Sequence, residues 1–119
     1  MTDVTVKYKN HQVVSLTSSG HAGFRRKGKD IVCAAISVLM FTAIEGLRSV
    51  AKLDQLIFES DEKTAYMYLE IPLGLTEEQS LKAGIILDTI IIGLQGIAND
   101  YPKNMRFKIE GGANIQWLD

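Results

Sequence analysis

Two strongly apolar stretches of this chain carry no charge, Ile31–Ile44 and Thr89–Ala98. Runs of that composition have to leave water, yet both fall short of the roughly 18 residues that cross a bilayer. They are therefore expected as helices buried within a folded domain, the first of them apolar on most sides. The segments around them alternate instead. Residues 3–8 place Val4, Val6 and Tyr8 on one face, the pattern of a half-buried strand. Lys9, Asn10 and His11 supply a turn with His11 in solvent, and 12–19 reads as a second strand with Val14 and Leu16 on one side.

Asp30 is placed to cap the first helix, which should run to about Val50. Residues 53–59 and 64–71 form two strands of a hairpin turning at 60–63, and Pro72 and Gly74 stop the second. Thr76 with Gln79 three residues on is a capping box, with acids where the helix dipole favours them. That helix should end near Asn99, ahead of Tyr101 and Pro102. Residues 105–110 alternate again as a fifth strand, and the tail beyond Gly111 either adds a short edge strand or frays. The order β-β-α-β-β-α-β spans 1–119 as one domain, an α+β (mixed α/β) fold with one sheet packed by two helices. Ile85, Ile86, Ile90, Ile91, Ile92 and Leu94 exceed what one sheet face covers, so the excess points to a second copy of the chain.

The 13 basic and 14 acidic residues leave a net charge of −1, which does not favour nucleic acid or an anionic membrane as partner. Cys33 is the single cysteine, so an intrachain disulfide and a Cys-rich metal site are both excluded. Nothing at the N-terminus resembles a secretory signal, and a reducing cytoplasm is the expected compartment.

The chemistry is concentrated in residues 20–37, GHAGFRRKGKDIVCAAIS. Gly23 to Lys29 reads G-x-x-x-x-G-K between a strand and a helix, the spacing of a phosphate loop. The next residue should then be Ser or Thr for the magnesium. It is Asp30, a negative charge where phosphate oxygens would sit, and the preceding strand belongs to a hairpin rather than a parallel unit. A plainer reading makes Cys33 a small buried hydrophobe, His21 a packing residue and the loop a solvated one. A third rests on arrangement. Asp30, Cys33 and Ser37 fall at i, i+3 and i+7, a polar stripe on an otherwise apolar helix. Cys33 sits in the first turn, where unpaired N–H groups and the helix dipole favour a thiolate. Ala34 and Ala35 leave room for a substrate backbone, and His21 can fold back through the glycine-flanked loop as base.

Gly20-His21-Ala22-Gly23, a short loop, and then Gly28-x-Asp30-Ile31-Val32-Cys33-Ala34-Ala35-x-Ser37 resemble the signature of the bacterial Prp family, the ribosomal-processing cysteine proteases. The resemblance implies a cytoplasmic homodimer of α/β fold. Its substrate would be large-subunit ribosomal protein twenty-seven, from which it removes an N-terminal extension during ribosome maturation. It makes Cys33 the nucleophile and His21 the general base and acid, with Gly20, Asp30 and Ser37 in support. No third triad member is marked, and Asp30 is either a cap or an orienter of His21. The backbone N–H groups of Cys33 and Ala34 are the expected oxyanion donors. The loop 23–29, with Gly23, Phe24 and Gly28, is expected to close over substrate. No metal or cofactor is implied. Arg25, Arg26 and Lys27 make this loop more basic than the family suggests; they favour the thiolate, select an acidic substrate, or stay solvated. Tyr66 and Tyr68 share a strand face that lines either a groove or an interface, and Trp117 is expected as an edge anchor or dimer contact.

Two other functions remain open on sequence grounds. A ribosome-assembly binding module would keep the pocket without catalysis and alkylate slowly at Cys33. A Cys–His hydrolase of non-peptide esters would turn over a small activated ester but not the ribosomal protein.

Overall fold

The computed structural model describes residues 1–26 and 28–111. The tail strand, Trp117 and Lys27 lie outside the described residues. Seven elements follow one another: β1 (Thr2–Lys9), β2 (Gln12–Ser19), α1 (Ile31–Ser49), β3 (Ile57–Asp61), β4 (Tyr66–Glu70), α2 (Glu77–Asp100) and β5 (Met105–Glu110). The strands form one sheet in the order β3-β4-β2-β1-β5. Only the β1–β5 pairing is parallel, because α2 intervenes and brings the chain back to the same end. The result is the α+β arrangement expected, one sheet and two helices.

Alternation in the strands decides which sheet face the helices cover. Thr2, Val4, Val6 and Tyr8 of β1 are all buried, while Asp3, Thr5 and Lys7 turn outward. Into that face pack Ile36, Met40, Ile44 and Leu47 of α1, and Leu87, Ile91 and Leu94 of α2. By length and hydropathy alone both helices are able to cross a bilayer. Here each commits one face to the core. The helices also touch each other closely, since a side chain added at Gly93 would meet Leu39 at 3.0 Å.

Three sequence expectations shift by a few residues, each for a local reason. Lys7 pairs with Ser15 but Tyr8 pairs with Val13, so Val14 is left over as a bulge. Val13 therefore shares the core with Leu16, and Val14 does not. β3 starts at Ile57 rather than at 53 because the chain wraps the end of α1: the Leu53 N–H donates to the Leu47 carbonyl at 3.0 Å. Leu53 and Leu56 are buried there instead of alternating in the sheet. The hairpin turn falls at residues 62–65, with Ala65 at φ 52°, so β4 begins at Tyr66. Both predicted caps form as expected. Thr76 and Gln79 exchange side-chain and backbone bonds at 3.0 and 3.1 Å, and Asp30 caps α1.

Candidate active site

The end of β2 is held on both sides before it delivers His21. Gly20 donates its N–H to the Thr64 carbonyl at 3.1 Å, and the Thr2 hydroxyl donates to the Gly20 carbonyl at 2.8 Å. Gly20 adopts φ +92°, and a Cβ there would lie 2.7 Å from the Met1 carbonyl oxygen. No other residue fits that position without moving the N-terminal strand. What the geometry asks of Gly20 is thus the absence of a side chain.

Asp30 is 7% exposed, and both of its carboxylate oxygens are engaged by backbone. Oδ1 accepts from Val32 and Cys33 N–H at 3.0 Å each; Oδ2 accepts from Phe24 and Arg25 N–H at 2.9 and 3.3 Å. One carboxylate therefore caps α1 and anchors the loop before it. That answers the question left by the sequence: Asp30 is a cap and a loop clamp, with no bond to His21. Burial pushes its carboxyl pKa up, but the bonds from Cys33, Arg25 and Phe24 outweigh it and hold the pKa below the ordinary 3.8. The sign follows directly. A lowered folded pKa contributes stability that is present above pH 3.8 and is lost as pH falls through the lowered value. Asp30→Ala should cost about 2 kcal/mol at neutral pH, the scale of a cap with charge-assisted bonds. Urea unfolding of both proteins should show that gap narrowing below pH 3.8.

Cys33 lies in the first turn of α1, half-buried, with the Ala22 N–H donating to Sγ at 3.1 Å. The expected thiolate stabilisation by the helix start is overridden. Burial raises the thiol pKa; the Ala22 bond works against that, but the adjoining Asp30 carboxylate raises it further. The expected oxyanion donors are also unavailable. The Cys33 N–H is on Asp30 Oδ1, and the Ala34 N–H is on the Asp30 carbonyl at 3.1 Å. The sequence reading missed that a well-made cap consumes those donors.

Both Cys33 and His21 line one open cleft of about 780 Å³, together with Gly20, Gly23, Gly28, Asp30, Ala34 and Ser37. Its far wall comes from Phe41 of α1 and from residues 60–62 and 65–67 of the β3–β4 hairpin. His21 is exposed, and its Nε2 lies 3.3 Å from the Lys63 carbonyl oxygen. An Nε2–H donating there leaves Nδ1 as the basic nitrogen. No described hydrogen bond joins His21 to Cys33. Phe24 does not line the cleft; it packs edge-on against Tyr101, ring centroids 5.5 Å apart, with the Arg25 guanidinium 5.3 Å from its own ring. Arg25 does line the cleft, and Arg26 is exposed. Tyr66 also faces the cleft, whereas the Tyr68 hydroxyl donates to Glu70. Among the described residues no group of three His, Cys, Asp or Glu is gathered to hold a metal.

One residue went unseen in the sequence. Asn104, 82 positions from Ala22, donates from Nδ2 to the Ala22 carbonyl at 3.1 Å. Nothing in a linear reading marks it, because the loop before β5 reaches the site only through the parallel β1–β5 pairing.

A thiol and an imidazole lining one cleft on an α+β scaffold are the groups that the class of cysteine hydrolases uses. The sequence model described as cysteine protease Prp matches residues 1–106, and the chain belongs to that family. It is similar to the ribosomal processing cysteine protease Prp of Bacillus subtilis, with 32% identity over 79% of this chain and 83% of that protein. It is also similar to the protein of that name from Mycoplasma pneumoniae, at 31% over 78% and 84%. Among solved structures, a Streptococcus mutans protein superposes with TM-score 0.80 at 26% identity, covering 92% of this chain and 94% of that one. The fold is shared as well by the Staphylococcus aureus Prp protease in complex with a covalently linked product peptide. That match has TM-score 0.75 at 23% identity, over 92% of this chain and all of that one. The protein is thus a cysteine protease of the ribosomal processing family.

Proposed function

We propose that this protein removes the N-terminal extension of large-subunit ribosomal protein twenty-seven, with Cys33 as nucleophile and His21 as general base and acid. The observation that carries the reading is the joint placement of Cys33 and His21 in one cleft, in a chain of this family. His21 takes the thiol proton as Sγ attacks the scissile carbonyl, forming the S–C bond. The imidazolium returns that proton to the departing amine as the C–N bond breaks, leaving a thioester on Cys33. Neutral His21 then takes a proton from water, whose oxygen attacks the thioester. The peptide acid leaves, and the proton returns to the sulfur. The family relatives bear the words ribosomal processing in their names.

The same reading places the protein in the cytoplasm as a homodimer. Leu81, Ile85 and Ile92 stand 66%, 59% and 54% exposed along one stripe of α2, an apolar surface that a second copy would cover. A slow reaction of the free thiol with alkylating agents no longer separates a protease from a docking module, since the resting thiol is already raised. Cleavage does. The test is the intact mass of the ribosomal protein, extension included, after incubation with wild type. A shortened product supports the function, and an unchanged mass removes it.

A further inference from the structure

We infer that the oxyanion formed in the cleft is held by the backbone N–H groups of Ala22 and Gly23, with Asn104 as the positioning residue that fixes the Ala22–Gly23 peptide; this rests on the peptidase reading above. A cysteine hydrolase needs donors within reach of both the sulfur and the carbonyl oxygen it attacks. Around Cys33 most candidates are already bound. The N–H groups of Phe24, Arg25, Val32 and Cys33 all end on the Asp30 carboxylate, and that of Ala34 ends on the Asp30 carbonyl. Freeing Val32 or Cys33 breaks the cap of α1, freeing Phe24 or Arg25 releases the loop from the buried carboxylate, and freeing Ala34 opens the first turn of the helix.

Two donors remain, at the start of the loop. The Ala22 N–H already touches Sγ at 3.1 Å. As the S–C bond forms, negative charge passes from sulfur to the neighbouring oxygen, and a donor on the sulfur is within reach of it. The Gly23 N–H has no partner among the described residues, and Gly23 lines the cleft at φ +74°. Its direction is set from behind. A planar trans peptide points its C=O and N–H opposite ways, and the Ala22 carbonyl is bound by Asn104 Nδ2 at 3.1 Å. The Gly23 N–H is thereby turned away from Asn104. Asn104 is itself fixed: its N–H donates to the Tyr101 carbonyl and its carbonyl accepts from the Thr2 N–H, both at 2.9 Å. Ala22 is 2% exposed, so this peptide has little freedom to tilt. Donors held rigid before reaction are the kind that lower a barrier most.

The experiment compares wild type, Asn104→Asp, and protein in which Ala22 is replaced by L-lactic acid, an ester that deletes only the N–H. Each is assayed on a peptide spanning the junction of the ribosomal extension, and for binding of a peptide aldehyde and of the product acid. The ester should lower kcat by about 10²–10³-fold, the loss seen on deleting one oxyanion donor, with KM little changed. Aldehyde affinity should fall with kcat while product affinity holds, because only the hemithioacetal carries the oxyanion. Asn104→Asp sets a carboxylate against the Ala22 carbonyl and should move kcat and aldehyde affinity the same way. Where one variant fails to fold, the other supplies the same ratio of affinities. Wild-type cleavage with an unchanged aldehyde-to-product ratio in the folded variants overturns the inference and leaves the peptidase reading standing. Wild type that leaves the peptide whole overturns both.

Discussion

Cys33→Ala should leave the ribosomal protein extension uncut under conditions where wild type removes it. The loss should be on the order of 10⁵-fold or more, since nothing else in the cleft replaces a deleted nucleophile. The fold should survive. Cys33 is only half-buried, the change removes one sulfur, and the cap of α1 depends on the Cys33 backbone rather than its side chain. Intact mass of the substrate reads the activity, and thermal unfolding reads the fold. Residual cutting by the alanine protein at the wild-type rate would move the chemistry to another residue. A Cys33→Ser protein should be nearly as inactive, because a serine hydroxyl in this half-buried place is a still weaker acid than the raised thiol.

His21→Ala should reduce kcat/KM by about 10²–10⁴-fold, the usual contribution of a positioned acid–base group. Stability should change little, since the ring is exposed and its single described contact is to the Lys63 carbonyl. The pH response of Cys33 gives the second arm of this prediction. Burial, with the Asp30 carboxylate in support, raises the thiol pKa above its ordinary 9.0 despite the Ala22 N–H. The neutral thiol therefore dominates in the free protein at pH 7, and alkylation of Cys33 should be slow there and climb with pH through the alkaline range. A free protein that alkylates fast at neutral pH would show that the thiolate is preformed and that His21 is not needed to make it. With substrate bound, cleavage near neutral pH then depends on proton removal by His21, which is why deleting the imidazole should cost far more near pH 7 than at high pH.

Ser37 was legible as a candidate from helical spacing and Ala34 from its small size, and both line the cleft. The spacing worked because a helix repeats every 3.6 residues regardless of what surrounds it. Phe24 shows the limit of the same approach. Its place in the loop marked it for the substrate, yet it packs on Tyr101, which lies 77 positions further along and is invisible to local pattern. The bulge at Val14 was hidden for a related reason: an extra residue is defined only by the strand opposite.

Local physics within the sequence determined the two helices, their caps at Asp30 and Thr76, and the presence of five strands. Each of these depends on side chains a few positions apart, and their periodicity and capping chemistry act before any tertiary contact forms. Tertiary structure decided how the thiol is solvated, which N–H groups stay available beside it, and that Asn104 stands behind Ala22. Those depend on burial and on partners distant in the chain, and burial is a property of the assembled core. The cap of α1 joins the two levels. Asp30 was readable as a helix start, but only the folded loop shows that its four bonds take up the donors a nucleophile in that turn would otherwise have used.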